Sequence, residues 1–173
     1  CPKNKKDGSI GKCMPNCEVK VVDEELWVRG SSVMQGYYKM PEETAQTLVD
    51  GWLRTGDLGY VDEDGFLFLT GRKKNLIITP NGENVSPEEL ENKIGAARLV
   101  QEVLVREKDG VIEAEIFPDQ EYASKKKIRD VEGEIRKIVD DYNEKAPLYK
   151  RVVSVKLRDT EFEKNTTKKI KRF

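Results

Sequence analysis

The sequence contains no histidine. Ser-His-Asp and Cys-His catalysis are thereby excluded, as is any histidine-ligated metal centre. Cysteine is scarce and confined to Cys1, Cys13 and Cys17 near the start. An odd number in a chain of 173 residues argues against a disulfide framework. The spacing of Cys13 and Cys17 is not that of a zinc knuckle, and no second ligand pair follows, so no metal site is expected. Reduced cysteines fit a cytoplasmic setting. No apolar run approaches the roughly 20 residues that span a bilayer, and no signal peptide is visible. An excess of one charge is missing too: 31 Lys and Arg stand against 32 Asp and Glu, a net charge of -1. A protein whose main task is neutralising nucleic-acid phosphates would carry a basic excess. An initiator methionine is lacking, and the abrupt opening CPKNKK is what a piece of something longer would show.

What is present is charge without bias. Charged residues make up 36% and hydrophobic residues 37% of the chain, so a thin core under a charged surface is expected. The first seventy or so residues read as strands and turns. Residues 18–22 (EVKVV) and 25–29 (ELWVR) alternate around an acidic turn, a hairpin signal. Residues 33–38 (VMQGYY) read as a strand. Pro41-Glu42-Glu43 opens a short helix through about Val49, which Gly51 stops. Residues 58–61 and 66–70 flank the turn DEDG and predict a second hairpin.

Beyond Gly71 the pattern becomes mixed. Residues 75–79 (NLIIT) predict a strand, and Ser86-Pro87-Glu88-Glu89 predicts a helix start, with Ser as N-cap and Glu at N3, ending near Gly95. Residues 100–106 and 111–117 flank Asp109-Gly110 as a hairpin. Apolar residues at Ile128, Val131, Ile135, Ile138, Val139 and Tyr142 predict a helix over 125–142. Residues 152–157 read as a last strand, and the tail 159–173 is basic and without periodicity. The fold class expected is α+β: a β-rich segment, residues 1–73, followed by a compact α+β domain, residues 74–173.

Among residues that could carry chemistry, Asp57 stands just after a glycine turn in Arg54-Thr55-Gly56-Asp57. A carboxylate there can accept two hydrogen bonds from a vicinal diol such as ribose, or can simply hold its own turn. Gly71-Arg72-Lys73-Lys74 follows, then a loop with Gly82, then the capped helix, and finally lysines in the tail Thr166-Thr167-Lys168-Lys169-Ile170-Lys171-Arg172. The order of these pieces resembles the adenylate-forming superfamily of acyl-CoA synthetases, peptide-synthetase adenylation domains and beetle luciferases. Gly30 with Val33, Gly36-Tyr37-Tyr38, Pro41-Glu42 and Thr44 looks like the family's G..V..GY...PE.T stretch. Residues 54–57 match its RTGD element, residues 71–91 its hinge motif and glycine loop, and Ala146-Pro147-Leu148-Tyr149 its LPxY element.

The resemblance implies a two-step reaction. A carboxylate attacks the α-phosphate of ATP, brought with Mg2+, to give acyl-AMP; the thiol of coenzyme A then displaces AMP. It implies a C-terminal domain that swings between two orientations. It places Asp57 at the ribose hydroxyls, Arg72 against the nucleotide, Lys74 at the hinge, Gly82 beside the pantetheine arm and Lys169 at the catalytic lysine of the first step. The residues alone do not separate Lys169 from Lys168 or Lys171; the alignment to the family's ending does. That ending normally reads PxxxSGK, whereas this chain has Glu163 and Thr167-Lys168 in those places, a variant similar to long-chain fatty-acyl members.

The family's phosphate loop and acyl tunnel have no counterpart in this sequence. The resemblance therefore implies partnership with an N-terminal domain on the same polypeptide, and an isolated chain without activity. Fatty acid, ATP and CoA are the implied substrates, with no nucleic acid. Peripheral membrane association of the parent, and self-association of the chain through open barrel edges, are compatible with this reading. The acid could be another carboxylate, or the acceptor a carrier protein. A different class is a stand-alone α+β module whose basic tail binds RNA or acidic lipid. The balanced charge and the lack of interleaved aromatics in the tail weigh against it.

Overall fold

The computed structural model describes residues 5–172. They form two compact units, one ending at Asn75 and the other beginning at Leu76. The architecture is α+β: a β-rich first unit and a small mixed second unit.

The first unit is built on an antiparallel sheet. Its strands are β1 (Gly11–Lys12), β2 (Cys17–Val22), β3 (Glu25–Gly30), β4 (Leu48–Val49), β5 (Trp52–Val61) and β6 (Phe66–Arg72). Their order is β1-β6-β5-β3-β2, with β4 on β5. Asp23 and Glu24 both adopt positive φ, 49° and 63°, the twist that a two-residue hairpin between β2 and β3 requires. Leu26, Leu58, Phe66 and Leu67 are its buried apolar residues. The helix predicted after Pro41 is α1 (Pro41–Thr47), two residues shorter than expected because Leu48 and Val49 pair with β5. The strand expected over 33–38 does not form. There the backbone turns instead: the Met40 N–H donates to the Tyr37 carbonyl, and the Tyr37 N–H donates to Thr44 Oγ1. Cys13 and Cys17 are free thiols, Cys13 exposed and Cys17 half-buried; Cys1 lies outside the described residues.

The second unit has a two-stranded ribbon, β7 (Ile77–Ile78) with β8 (Asn84–Val85), in place of the longer strand predicted. It also has a three-stranded sheet in the order β11-β10-β9, from β9 (Val100–Lys108), β10 (Val111–Pro118) and β11 (Ser154–Leu157). The hairpin β9–β10 turns at Asp109 and Gly110, both at positive φ, and β11 lies parallel to β10. Its helices are α2 (Pro87–Ile94), α3 (Gln120–Lys126) and α4 (Val131–Lys145). Helix α2 starts where the Ser-Pro-Glu-Glu run predicted, but Ser86 donates to the Glu88 carboxylate and makes no side-chain cap bond.

The single helix expected over 125–142 is two. Lys127 takes a left-handed conformation (φ 56°) that ends α3, and Asp130 then caps α4 by accepting from the Gly133 N–H at 2.8 Å. The periodic pattern runs through the break because both helices bury apolar residues in one cluster. That cluster centres on Val85, Leu90, Ile94, Ile116, Ile135 and Val139, all fully buried. On the other face of the sheet, Glu113 and Glu115 are buried beneath Arg106, Lys156 and Arg158, each pair at 3.0–3.3 Å. The tail is ordered rather than loose: Phe162 is buried, and Lys164 bridges to Ile170.

Candidate functional site

In the first unit, strand pairing breaks at the Arg-Thr-Gly-Asp segment. Trp27 faces Arg54 and Glu25 faces Leu58, so Leu26 alone stands opposite Thr55, Gly56 and Asp57. Such a bulge re-aims side chains, and this one is held by specific bonds. The Thr55 hydroxyl donates to the Leu26 carbonyl at 2.6 Å and accepts from the Asp57 N–H at 3.1 Å. The Gly56 N–H donates to Glu25 Oε1 at 3.0 Å. Gly56 has φ 71°, a region where a side chain is strained. The bulge sets Asp57 across from Arg72 on β6, and Arg72 Nε meets Asp57 Oδ1 at 2.7 Å. Beside them is a recess of about 380 Å³ lined by Thr55, Gly56, Arg72, Lys73 and Lys74.

Glu25 organises this corner, and sequence reasoning missed it. It is 2% exposed and pairs with Lys73 at 3.0 Å and Arg54 at 3.7 Å. Burial pushes its carboxyl up, but Lys73, the Gly56 N–H and Arg54 together pull harder, and it is held below the usual carboxylate range. Lys73 is therefore tied to the sheet. Lys74, next in the short 3-10 helix Lys73–Asn75, is exposed and makes no ion pair among the described residues.

Gly82 sits in the loop between β7 and β8, its N–H donating to the Thr79 carbonyl at 2.8 Å. Its φ is 82°, and an added Cβ would meet nothing within 4 Å. The glycine is required by backbone conformation, while the space above it is open.

Lys169 belongs to a short closed loop. Lys164 and Ile170 form an antiparallel bridge, and the Asn165 N–H donates to the Lys169 carbonyl at 2.8 Å. Lys168 has φ 61°. The Lys169 side chain is exposed and makes no ion pair or hydrogen bond among the described residues, whereas Lys171 pairs with Glu163. Arg172 ties the far end to helix α2 through Glu91, at 2.5 Å and 3.0 Å. Burial pushes the Glu91 carboxyl up against the pull of Arg172 and the Val105 N–H.

Asp57 and Arg72 are thus brought together, with Lys74 two residues on; Gly82 and Lys169 belong to the other unit. A larger cleft of the second unit, about 630 Å³ between α2, α4 and the turn Leu148–Lys150, is lined in part by Ala146 and Pro147 of the LPxY-like element but by none of Asp57, Arg72, Lys74, Gly82 and Lys169. Its wall carries the Glu89–Lys150 pair at 2.7 Å. Burial there pushes the Tyr142 hydroxyl up to about 12, keeping it a donor to the Lys150 carbonyl.

Comparison with known proteins bears on these pieces. A long-chain-fatty-acid–CoA ligase of Mycobacterium tuberculosis is 46% identical over 101 residues, 58% of this chain and 17% of the relative. A 2-succinylbenzoate–CoA ligase of Listeria innocua is also 46% identical over 101 residues, 58% of this chain and 21% of the relative. Among solved structures, the O-succinylbenzoate coenzyme A synthetase of Bacillus subtilis in complex with AMP superposes with a TM-score of 0.76 at 29% identity. It covers 95% of this chain and 34% of its own. An anthranilate CoA ligase in complex with anthranoyl-AMP gives a TM-score of 0.77 at 28% identity, over 98% of this chain and 33% of its own. The chain thus spans about a fifth of the curated relatives, at 17–21%, and about a third of the solved ones, at 33–34%. Residues 74–172, more than half of the sequence, match the AMP-binding enzyme C-terminal domain, and the chain belongs to that adenylate-forming family.

Proposed function

We propose that the chain is the nucleotide-contacting end and swivelling domain of an AMP-forming acyl-CoA ligase, acting with an N-terminal adenylation domain on the same polypeptide. The domains on this reading are residues 1–73 and 74–173. Lys169 is the lysine of the first half-reaction. A carboxylate and a triphosphate repel, and charge builds on the α-phosphoryl oxygens in the transition state; an ammonium reaching both offsets it in a closed site.

One observation carries the assignment of the lysine. The family's ending has glycine just before it, and here Lys168 occupies that place with φ 61°, the left-handed conformation that glycine favours. The register therefore falls on Lys169, whose ammonium is unengaged among the described residues, and not on Lys168 or on the paired Lys171.

Asp57 accepts the ribose hydroxyls from the bulge, with Arg72 beside it against the nucleotide. Lys74 is the pivot: Lys73 before it is anchored to buried Glu25, and the unit boundary follows at Asn75. Gly82 leaves open space for the pantetheine arm, consistent with an added Cβ meeting nothing there. ATP, with Mg2+ as its counter-ion, and CoA are substrates.

The acid on this reading is a long-chain fatty acid, supported by the variant ending and by long-chain ligases of Mycobacterium tuberculosis and Bacillus subtilis at 46% and 41% identity. The 2-succinylbenzoate ligases match as well, so the assay compares the two acids. In the assembled ligase, Lys169→Ala should lower ATP–pyrophosphate exchange by about a thousandfold, as loss of a transition-state charge does. Thioester formation from supplied acyl-AMP should be retained, and the isolated chain should show no exchange. Equal loss of both half-reactions would refute the role of Lys169. Exchange with 2-succinylbenzoate and not with palmitate would refute the fatty-acid reading.

A further inference from the structure

The tail contains more machinery than a lysine needs merely to be exposed. A single oxygen, Asn165 Oδ1, accepts three hydrogen bonds: from the Thr167 N–H at 3.0 Å, the Thr167 hydroxyl at 2.7 Å and the Lys169 N–H at 2.9 Å. Asn165 also closes the loop through its own backbone, donating to the Lys169 carbonyl at 2.8 Å and accepting from the Lys168 N–H at 2.9 Å. Both backbone polar groups of Lys169 thus end on Asn165. The loop is fixed outside as well. On its entering side, Phe162 is buried, its N–H donates to Glu102 Oε2 at 2.8 Å, and Lys164 pairs with the same Glu102. On its leaving side, Arg172 grips Glu91, whose Oε1 also takes the Val105 N–H of strand β9 at 2.8 Å. Glu88 adds a second carboxylate at 3.3 Å from Arg172.

A charged side chain on a flexible tail would have to be ordered each time it met a nucleotide, and that ordering would be drawn from the barrier it is meant to lower. Here the backbone of Lys169 is set in advance. We infer that Asn165 and Arg172 are positioning residues for Lys169: Asn165 fixes its backbone from within the loop, and Arg172 fastens the loop to helix α2 and strand β9. The inference rests on the reading of Lys169 as the adenylation lysine. The left-handed Lys168 belongs to the same device, because the Asn165 bonds on either side of it hold a conformation that a non-glycine residue otherwise disfavours.

The test separates the two claims. In the 173-residue chain, amide hydrogen exchange is read by NMR for Lys168 and Lys169 and for the core of the second unit. Asn165→Ala should speed exchange at Lys169 by about tenfold, the worth of one such hydrogen bond, with core amides unchanged. Asn165→Asp keeps the accepting oxygen and should restore the wild-type rate. Arg172→Ala should free the same loop from its outer end, and Arg172→Lys should restore part of the protection. In the assembled ligase, Asn165→Ala should lower kcat for ATP–pyrophosphate exchange by up to about 100-fold, the cost of a misplacement of about 1 Å, with KM for ATP unchanged. Asn165→Asp should recover kcat. Unchanged Lys169 exchange in both alanine variants would overturn the positioning claim. Faster exchange with undiminished kcat would instead overturn the catalytic reading of Lys169.

Discussion

Replacing Glu25 by alanine strikes the point where the bulge, the recess and the approach to Lys74 meet. The change removes the acceptor of the Gly56 N–H and the partner of Lys73 and Arg54. A hydrogen bond from backbone to a buried carboxylate contributes about 1.5–3 kcal/mol. The two ion pairs add less, about 0.5 kcal/mol each, because the Lys73 and Arg54 side chains are 45% and 38% exposed and resolvate when released. The expected loss is about 2.5–4 kcal/mol, or roughly 10–30 °C in the melting of a unit of this size. Glu25→Gln keeps an acceptor and should lose about 1 kcal/mol.

The assay is built in. The chain has two tryptophans, Trp27 on β3 and Trp52 on β5, so indole fluorescence follows the first unit, while α3 and α4 make helical circular dichroism weigh toward the second. pH gives an independent check. Because Glu25 is held below its ordinary range, its contribution is complete above the ordinary range of an unfolded glutamate and fades as pH falls through the lowered folded value. Wild type and Glu25→Gln should therefore converge in acid. A fluorescence midpoint for Glu25→Ala equal to wild type, or a deficit that persists unchanged in acid, would refute the reasoning.

Two further outcomes follow from the same geometry. Lys74→Pro, by fixing a torsion in the turn Lys73–Asn75, should slow thioester formation in the assembled ligase and spare adenylation; loss of adenylation alone would remove the pivot from Lys74. Gly82→Ala should cost about 1 kcal/mol in urea unfolding of the second unit, because φ is 82° although space is open, and Gly82→Asn should cost less. Equal stability of all three proteins would show that the loop does not require a left-handed residue.

The sequence carried the architecture wherever order is local. The hairpin around Asp23-Glu24 was legible from the alternation on both sides of its turn, that around Asp109-Gly110 from turn residues that tolerate positive φ, and α2 because Ser86-Pro87 announces a start. The break between α3 and α4 was not, since the apolar spacing continues across Lys127 and the stop lies in one backbone torsion. Tyr37 and Tyr38 have strand-like chemistry, but among the described residues no strand pairs with them. In the site, Asp57 and Arg72 were visible as motif residues, yet Glu25 was not. It looks like one more charge in an alternating strand, and only the register shift against Thr55-Gly56-Asp57 reveals that it is buried. Asn165 carried a readable hint, an Asn two residues before a Thr, which is an Asx-turn signal. Glu91 and Arg172 are 81 positions apart, and no local pattern joins them.

The parallel pairing of β11 with β10 has a kinetic consequence. Glu113 meets Ser154 across a long intervening stretch that holds both α3 and α4, so this edge of the sheet closes only after a distant excursion of the chain returns. Non-local closures of this kind come late in folding. The loop bearing Lys169 continues directly from that edge and is clasped to α2 and β9, so a half-assembled second unit would hold the β9–β10 hairpin and its helices while the ammonium group wandered. Order in the Lys169 loop should therefore arrive in one step with the completed sheet, and a refolding experiment followed by amide protection should find no species in which the Lys169 N–H is protected before β11 pairs with β10.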